Sequence, residues 1–345
     1  MFDNVLARLD KEIDALTAVV QWHDSIRTLI YGNLPDEPFR IDPASLELLK
    51  QLAPVKLDWQ LFDHYAAVTR IYAVFEQCIA ELVEEYVGYL PRIYSGYIDL
   101  CQDLRTSHRI GIGHVLMKWS TTQPIYGKLT EDQIACGLVD GLRGNAYRLL
   151  PEAFLTDSDN YRPDTLNRVF KKIGFDSAFS WVNQSEDINE FCLNELGGQY
   201  NPETYLAEFV KHRNDTAHGD VGTVAAAGEI KRYSEFSRLV AKSLGDLLRS
   251  TLIKDSVRCN LSSIFGTIKK RFTGNIYGVV ASAEQSVSVG DTIYVGKKRL
   301  YKAKIIGLRV VADSFDSLVL AEAMEFGLQL DIPVPNESAL YICSL

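Results

Sequence analysis

The stretch VKHRNDTAHGD, residues 210–220, brings a guanidinium and an imidazole within five positions of each other, at Arg213 and His218. Asn214, Asp215, Thr216 and Ala217 lie between them, and Lys211 and His212 come just before. Cutting an RNA phosphodiester without a metal needs a cation to hold the phosphate. It also needs a group that titrates near neutral pH and moves protons at the 2′-oxygen or the leaving oxygen. Arginine meets the first need, because its planar fork takes two phosphate oxygens at once. Histidine meets the second, with an unperturbed pKa of about 6.5. Asn214 can orient either group, and Lys211 and His212 make the preceding turn locally cationic.

Five positions on a straight helix subtend roughly 140°, so the two side chains converge only if the helix ends or bends between them. Asn214, Asp215 and Thr216 are weak helix formers and Gly219 is a natural stop, which predicts a helix end in this stretch. Symmetric pairing of two chains is the other way to build a composite cleft. A second pair at the same spacing, Arg109 and His114 in RIGIGH, has Ile110 after the arginine and no polar support, and reads as coincidence.

The elements that must position these residues sit in a chain of 345 residues, long enough for about two domains. With 47% hydrophobic and 23% charged residues it has a soluble globular composition. The start, MFDNVLARLDKEIDAL, is amphipathic and lacks the basic and apolar regions of a signal peptide. No window approaches the roughly 18 apolar residues of a membrane span, so the expectation is a cytoplasmic protein with no membrane partner. The six cysteines are scattered without metal-ligand spacing, which predicts buried small hydrophobes, no disulfide framework and no metal site.

No P-loop occurs: the GKK at 296–298 lacks the upstream glycine. RIGIGHV lacks the third glycine of a dinucleotide fingerprint, and HExxH, GxSxG and EF-hand loops are absent. The expectation is chemistry without a cofactor. The formal net charge of −9 makes the chain a poor general polyanion binder. From Lys269 onward nine Lys/Arg face eight Asp/Glu, while the rest holds 27 against 37, a net −10. Any nucleic-acid site is therefore a local patch.

Helical periodicity runs over residues 1–31, through Leu6, Leu9, Ile13, Leu16, Val20 and Ile26. GNLPDEPFRIDPAS (32–45) interrupts it with a glycine and three prolines. A second helix is expected over 61–90, with Val68, Tyr72, Phe75, Ile79 and Leu82 as its stripe and Pro91 as its end. RPDTLNRVFKKIGFD reads as a short helix stopped by Gly174. The motif helix opens with Asn201 as N-cap, Pro202 at the first position and Glu203 in the first turn. A last long helix is expected over about 224–254. Beyond SSIFGTIKKRFTGN the period changes to short β-branched runs, IYGVVASA, DTIYVG, RLYKAKIIGLRVV, SLVLAEA and GLQLDI, the pattern of a small antiparallel barrel or sandwich.

AEFVKHRNDTAHGD resembles the signature of the HEPN superfamily, in which Arg, a polar residue, three others and His close a helix of an all-α domain. TRIYAVFEQCIAELVEEY (69–86) and NYRPDTLNRVFKKIGFD (160–176) resemble the helices that accompany it, and the likeness spans roughly residues 1–255. The resemblance implies a metal-independent endoribonuclease in which 2′-hydroxyl attack leaves a 2′,3′-cyclic phosphate. It further implies a homodimer with facing motif helices, serving as a toxin or in antiviral defence, with an antitoxin or defence-system protein as a further partner. Arg213 and His218 carry over as catalytic and Asn214 as their polar partner. Glu76 carries over beside the plainer reading of a solvated helix-face charge. Lys211, His212, Lys171 and Lys172 are the RNA-binding candidates in this part.

The segment from SVSVGDTIYVG to GLQLDIPV resembles the second domain of translational GTPases such as elongation factor Tu, at Gly290, Asp291, Lys302–Ile305 and Gly327. Glu325 and Phe326 depart from that pattern, and no GTPase domain accompanies it. The resemblance implies recognition of tRNA or ribosomal RNA, with Lys297 and Lys298 as RNA-binding candidates and solvated hairpin charges as the plainer reading. The expected architecture is thus an all-α HEPN-like domain over 1–260 and a small all-β barrel over 270–345. Two readings compete with the nuclease: a non-catalytic HEPN dimer that binds RNA or protein as a scaffold, and an adaptor that occupies ribosomes.

Overall fold

The computed structural model describes residues 1–32, 42–119, 129–156, 160–218, 224–282 and 284–343, without the side chains of Trp119, Ala217 and His218. Among them are ten α-helices followed by nine strands. The helices are α1 (Asp3–Tyr31), α2 (Pro43–Leu52), α3 (Lys56–Ile93), α4 (Gln102–Trp119) and α5 (Glu131–Leu142). They continue as α6 (Pro163–Lys172), α7 (Ala178–Asn183), α8 (Glu186–Asn194), α9 (Pro202–His218) and α10 (Ala227–Arg258). An all-α part is thus followed by a β-barrel, and no described helix is long and apolar enough to cross a membrane. The compact units cut across that switch: one comprises residues 1–84 and 154–244, the other 85–153 and 245–345, and α3 and α10 have residues in both.

In the first unit, α9 buries Tyr205, Leu206, Phe209 and Val210, the i, i+1, i+4, i+5 stripe of an amphipathic helix. Side chains of this size contribute about 1.5–3 kcal/mol each on full burial. Aromatic rings lock this face to α10: Phe209 stacks on Tyr233 at 4.7 Å, and Tyr205 meets Phe236 edge-on at 4.9 Å. The helices α6, α7 and α8 also pack on α9. Asn201 caps it through Oδ1, which accepts from the Thr204 N–H at 2.9 Å. The stripe on α3 is buried as the periodicity requires, from Val68 to Leu82. Asp63 of the same helix is buried against Arg27 and His23 of α1, a charge compensated where it is desolvated.

In the second unit the strands are β1 (Ser262–Arg271), β2 (Ile276–Ala281), β3 (Gln285–Ser288), β4 (Thr292–Gly296), β5 (Leu300–Val310), β6 (Asp313–Phe315), β7 (Ser317–Leu320), β8 (Glu325–Leu330) and β9 (Ala339–Cys343). Six of them run antiparallel in the order β4-β9-β1-β2-β8-β5, and β5 pairs back to β4, which closes the barrel. Its interior holds Phe265, Ile268, Tyr277, Ile293, Leu308 and Leu328, residues that alternate with outward ones along their strands. In α4 of the same unit, Gly111 is needed for close approach: a Cβ there would lie 1.9 Å from the Ala153 carbonyl oxygen.

Four expectations are corrected. Pro91 does not end α3 but sits in its last turn, and the helix runs on to Ile93. So near the end, proline removes a single hydrogen bond, and the Tyr94 N–H still reaches the Leu90 carbonyl at 2.8 Å. Pro43, counted as a breaker, starts a helix, because the Asp42 carboxylate caps the N–H groups of Ala44 and Ser45. The six cysteines are all free, but only Cys78 and Cys192 are buried. Cys101 and Cys136 are exposed, the latter donating from Sγ to Asp132 one turn earlier on α5. The expected end of α9 between Arg213 and His218 is also absent, since the helix is continuous through His218. Gly219 and residues 33–41 lie outside the described residues.

His108 of α4 is fully buried, and its Nε2 accepts from the Leu150 N–H at 3.0 Å. Its neutral ring therefore carries the proton on Nδ1, 3.2 Å from the Tyr97 hydroxyl. Burial pushes its pKa from 6.5 down to about 4. As pH falls below 6.5 the unfolded chain takes up a proton that the folded one refuses until about 4, so stability is lost across that window. Between pH 7 and pH 4.5, His108→Gln is expected to lose roughly 2 kcal/mol less than the wild type in urea unfolding. An equal loss in both proteins would contradict it.

Candidate active site

Arg213 extends the buried stripe of α9, one turn beyond Phe209, and is half-buried. Its guanidinium lies over the ring of Tyr72 from α3, 4.7 Å from the centroid. Nη1 donates to Asn160 Oδ1 at 3.1 Å and to Asn214 Oδ1 at 3.0 Å. Nε is buried without a hydrogen-bond partner, and Nη2 has none among the described residues. Two amides and a ring hold the group, and no described carboxylate forms an ion pair with it. The charge is thus fixed in place and, among the described residues, paired with no carboxylate. That arrangement can hold an anion through Nη2, the nitrogen that is neither buried nor bonded among the described residues.

Supports for this grip come from distant parts of the chain. Tyr72 is 1% exposed, and its hydroxyl accepts from the Tyr161 N–H at 2.6 Å, which ties the chain after Asn160 to α3. Burial, followed by the charge of Glu76, pushes the Tyr72 phenol well above its usual pKa, so it stays protonated. Asn160 takes a left-handed backbone, φ 54°, a conformation asparagine tolerates better than most residues. Glu76 is half-buried one turn beyond Tyr72 on α3.

The last turns of α9 are held by a second set of bonds. Thr216 is buried, and its hydroxyl donates to the His212 carbonyl at 2.7 Å. His64 Nε2 lies 3.1 Å from Thr216 Oγ1, and His64 Nδ1 accepts from the Ala225 N–H at 2.9 Å. These bonds keep a run of weak helix formers helical as far as His218. His218 is the last residue of α9, and its side chain lies outside the described residues. On the continuous helix its Cα is roughly 7.5 Å along the axis from that of Arg213 and about 140° around it.

The other candidates divide. Asn214 is where the sequence suggests, bonded to Arg213. Lys211 is exposed, whereas both ring nitrogens of His212 are engaged, Nε2 with Glu208 at 3.1 Å and Nδ1 with the Tyr233 hydroxyl at 2.6 Å. Lys171 is exposed at the end of α6, and Lys172 Nζ donates to Thr156 Oγ1 at 3.1 Å. In the other unit, Lys297 pairs with Glu337 at 2.7 Å, and the Lys298 carbonyl accepts from Lys254 at 2.7 Å. Tyr72, Asn160, His64 and Thr216 escaped the reading of the motif. Tyr72 is visible there only as part of an apolar stripe, and Asn160 only as the first residue of the segment 160–176.

A family model described as RiboL-PSP-HEPN matches residues 44–250, and the chain belongs to that family. No curated protein and no solved structure matches the chain. The matched span includes α9, α3 and Asn160, all the residues that hold Arg213.

Tyr72→Phe keeps the ring beneath Arg213 but removes the acceptor of the Tyr161 N–H. The expected cost is about 1–3 kcal/mol, the usual penalty for removing one partner of a buried hydrogen bond. Urea unfolding checks this, and a change below about 0.5 kcal/mol would count against the bond.

Proposed function

We propose that this chain is a metal-independent endoribonuclease acting through Arg213 and His218. The guanidinium of Arg213, held by amides and a ring and paired with no described carboxylate, set in an Arg-Asn-x3-His sequence within a RiboL-PSP-HEPN chain, carries the reading. HEPN membership itself supports a nuclease or RNA-related role. Arg213 would hold the non-bridging oxygens of the scissile phosphate. The 2′-oxygen attacks phosphorus as its proton leaves to a base, the bond from phosphorus to the 5′-oxygen breaks, and that oxygen takes up a proton. His218 is the group that moves these protons. The products are a 2′,3′-cyclic phosphate and a 5′-hydroxyl, so atoms balance without a co-reactant.

The angular separation of Arg213 and His218 on an unbroken helix favours a cleft built from two chains, with α9 of each facing the other. A net charge of −9 favours a selective RNA over general binding, with tRNA or ribosomal RNA as the substrate class. The barrel is closed, and the resemblance of its sequence to the second domain of translation factors supports a role in selecting that RNA. A toxin or antiviral role, with a neutralising partner protein, fits such an activity.

The test is cleavage of purified tRNA and total RNA in EDTA. The wild type is expected to cut and leave cyclic phosphate ends, His218→Ala to lose cutting, and Arg213→Lys to lose at least about tenfold, because lysine keeps the charge but not the fork. Equal cutting by wild type and His218→Ala would overturn the assignment. No cutting by the wild type would favour the non-catalytic binding reading.

Asn160→Asp places a carboxylate where an amide oxygen now meets Arg213. Cleavage is expected to fall at least about tenfold, the factor that 1.4 kcal/mol of lost phosphate affinity gives. Unchanged cleavage would show that the cation need not be uncompensated.

A further inference from the structure

His64 stands outside the motif, 152 residues from Thr216 in sequence, yet it is 1% exposed and bonded to both sides of the motif's end. The roles of its bonds follow from elementary donor rules. A backbone N–H only donates, so Nδ1, 2.9 Å from the Ala225 nitrogen, must be unprotonated. The neutral ring therefore carries its proton on Nε2, which donates to Thr216 Oγ1 at 3.1 Å. The Thr216 hydroxyl proton is then directed to the His212 carbonyl at 2.7 Å. One directional chain, Ala225 to His64 to Thr216 to His212, joins α3, α9 and the segment leading into α10.

Thr216 precedes His218 by two residues and Ala225 follows it by seven, so His64 grips the chain on both sides of the proposed proton carrier. We infer that His64 is a positioning residue for cleavage, fixing the end of α9 relative to Ala225 so that His218 is presented in one place. The inference rests on the catalytic reading of Arg213 and His218. His64 does not touch substrate: it is buried, and both ring nitrogens are used. Burial, then the proximity of His212, lowers its pKa, which keeps the ring in the neutral form that the bonding requires.

Three substitutions dissect the role. His64→Asn keeps an acceptor near Nδ1, His64→Gln keeps a donor near Nε2, and His64→Leu keeps neither. Thr216→Val removes the partner hydroxyl at nearly constant volume. Under the conditions that give wild-type cleavage and its loss in His218→Ala, His64→Leu is expected to lower kcat by about 30-fold or more with KM within about threefold. Asn and Gln are expected to recover part of kcat, and adding Thr216→Val to His64→Leu to cost little more, because the two act through one chain of bonds. Amide exchange gives a readout apart from activity. The Ala225 N–H should be protected in the wild type and in His64→Asn, and exchange at least about tenfold faster in His64→Leu. If the leucine variant fails to fold, Thr216→Val and His64→Gln carry the same comparison.

Wild-type kcat in a folded His64→Leu, while His218→Ala stays inactive, overturns the positioning role and leaves the catalytic reading standing. Cutting by His218→Ala overturns that reading and the positioning role with it. Equal Ala225 exchange in wild type and His64→Leu overturns the proposal whatever the activity.

Discussion

The described groups that hold Arg213 are uncharged, a tyrosine ring and two side-chain amides, and none of them competes with an anion for the guanidinium. A carboxylate would fix the guanidinium more firmly, but it would also occupy the charge that an anion needs. Much of the helical unit can be understood from this constraint. Tyr72 must be buried against α9, which requires the packed α3 stripe, and Asn160 must reach across from a segment whose backbone is itself tied to Tyr72.

One helix supports the motif at two levels. Tyr72 faces Phe209 and Arg213, while His64, eight residues earlier on α3, faces Thr216. Rising numbers on α9 therefore meet falling numbers on α3, an antiparallel pairing that lets a rigid element brace both the cation and the helix end. The braces differ in kind. The first is an aromatic surface that tolerates sliding, and the second is a hydrogen-bond chain whose donors and acceptors are all assigned. Acid favours the imidazolium form of His64, which has no acceptor for the Ala225 N–H, so the second brace depends on a proton count where the first does not.

What was legible in the sequence follows the range of the forces involved. Helix starts are local, so Asn201 and Pro202 marked the opening of α9, and the apolar spacing of α3 marked its buried face. The change of period near residue 260 likewise separated helices from strands. The motif residues stood out because Arg, Asn and His have distinctive chemistry at that spacing. The residues that hold them did not, since Asn160 is 53 positions from Arg213 and His64 is 152 from Thr216. The continuity of α9 through Asp215 and Thr216 was misread for the same reason: local propensity disfavours helix there, and a distant histidine outweighs it. Pro91 and Pro43 show that a proline's effect depends on which helix end it lies near, which composition does not reveal.

Position 160 carries an evolutionary consequence. Its left-handed backbone suits glycine, asparagine and aspartate, and its bond to Arg213 requires a side-chain oxygen. Glycine meets the first demand alone. Aspartate meets both but brings a charge that would compete with any anionic ligand. Asparagine is left as the residue that satisfies backbone, acceptor and neutrality together. A lineage drifting at this site therefore has almost no neutral neighbours to visit, although nothing in the local sequence marks the position as constrained.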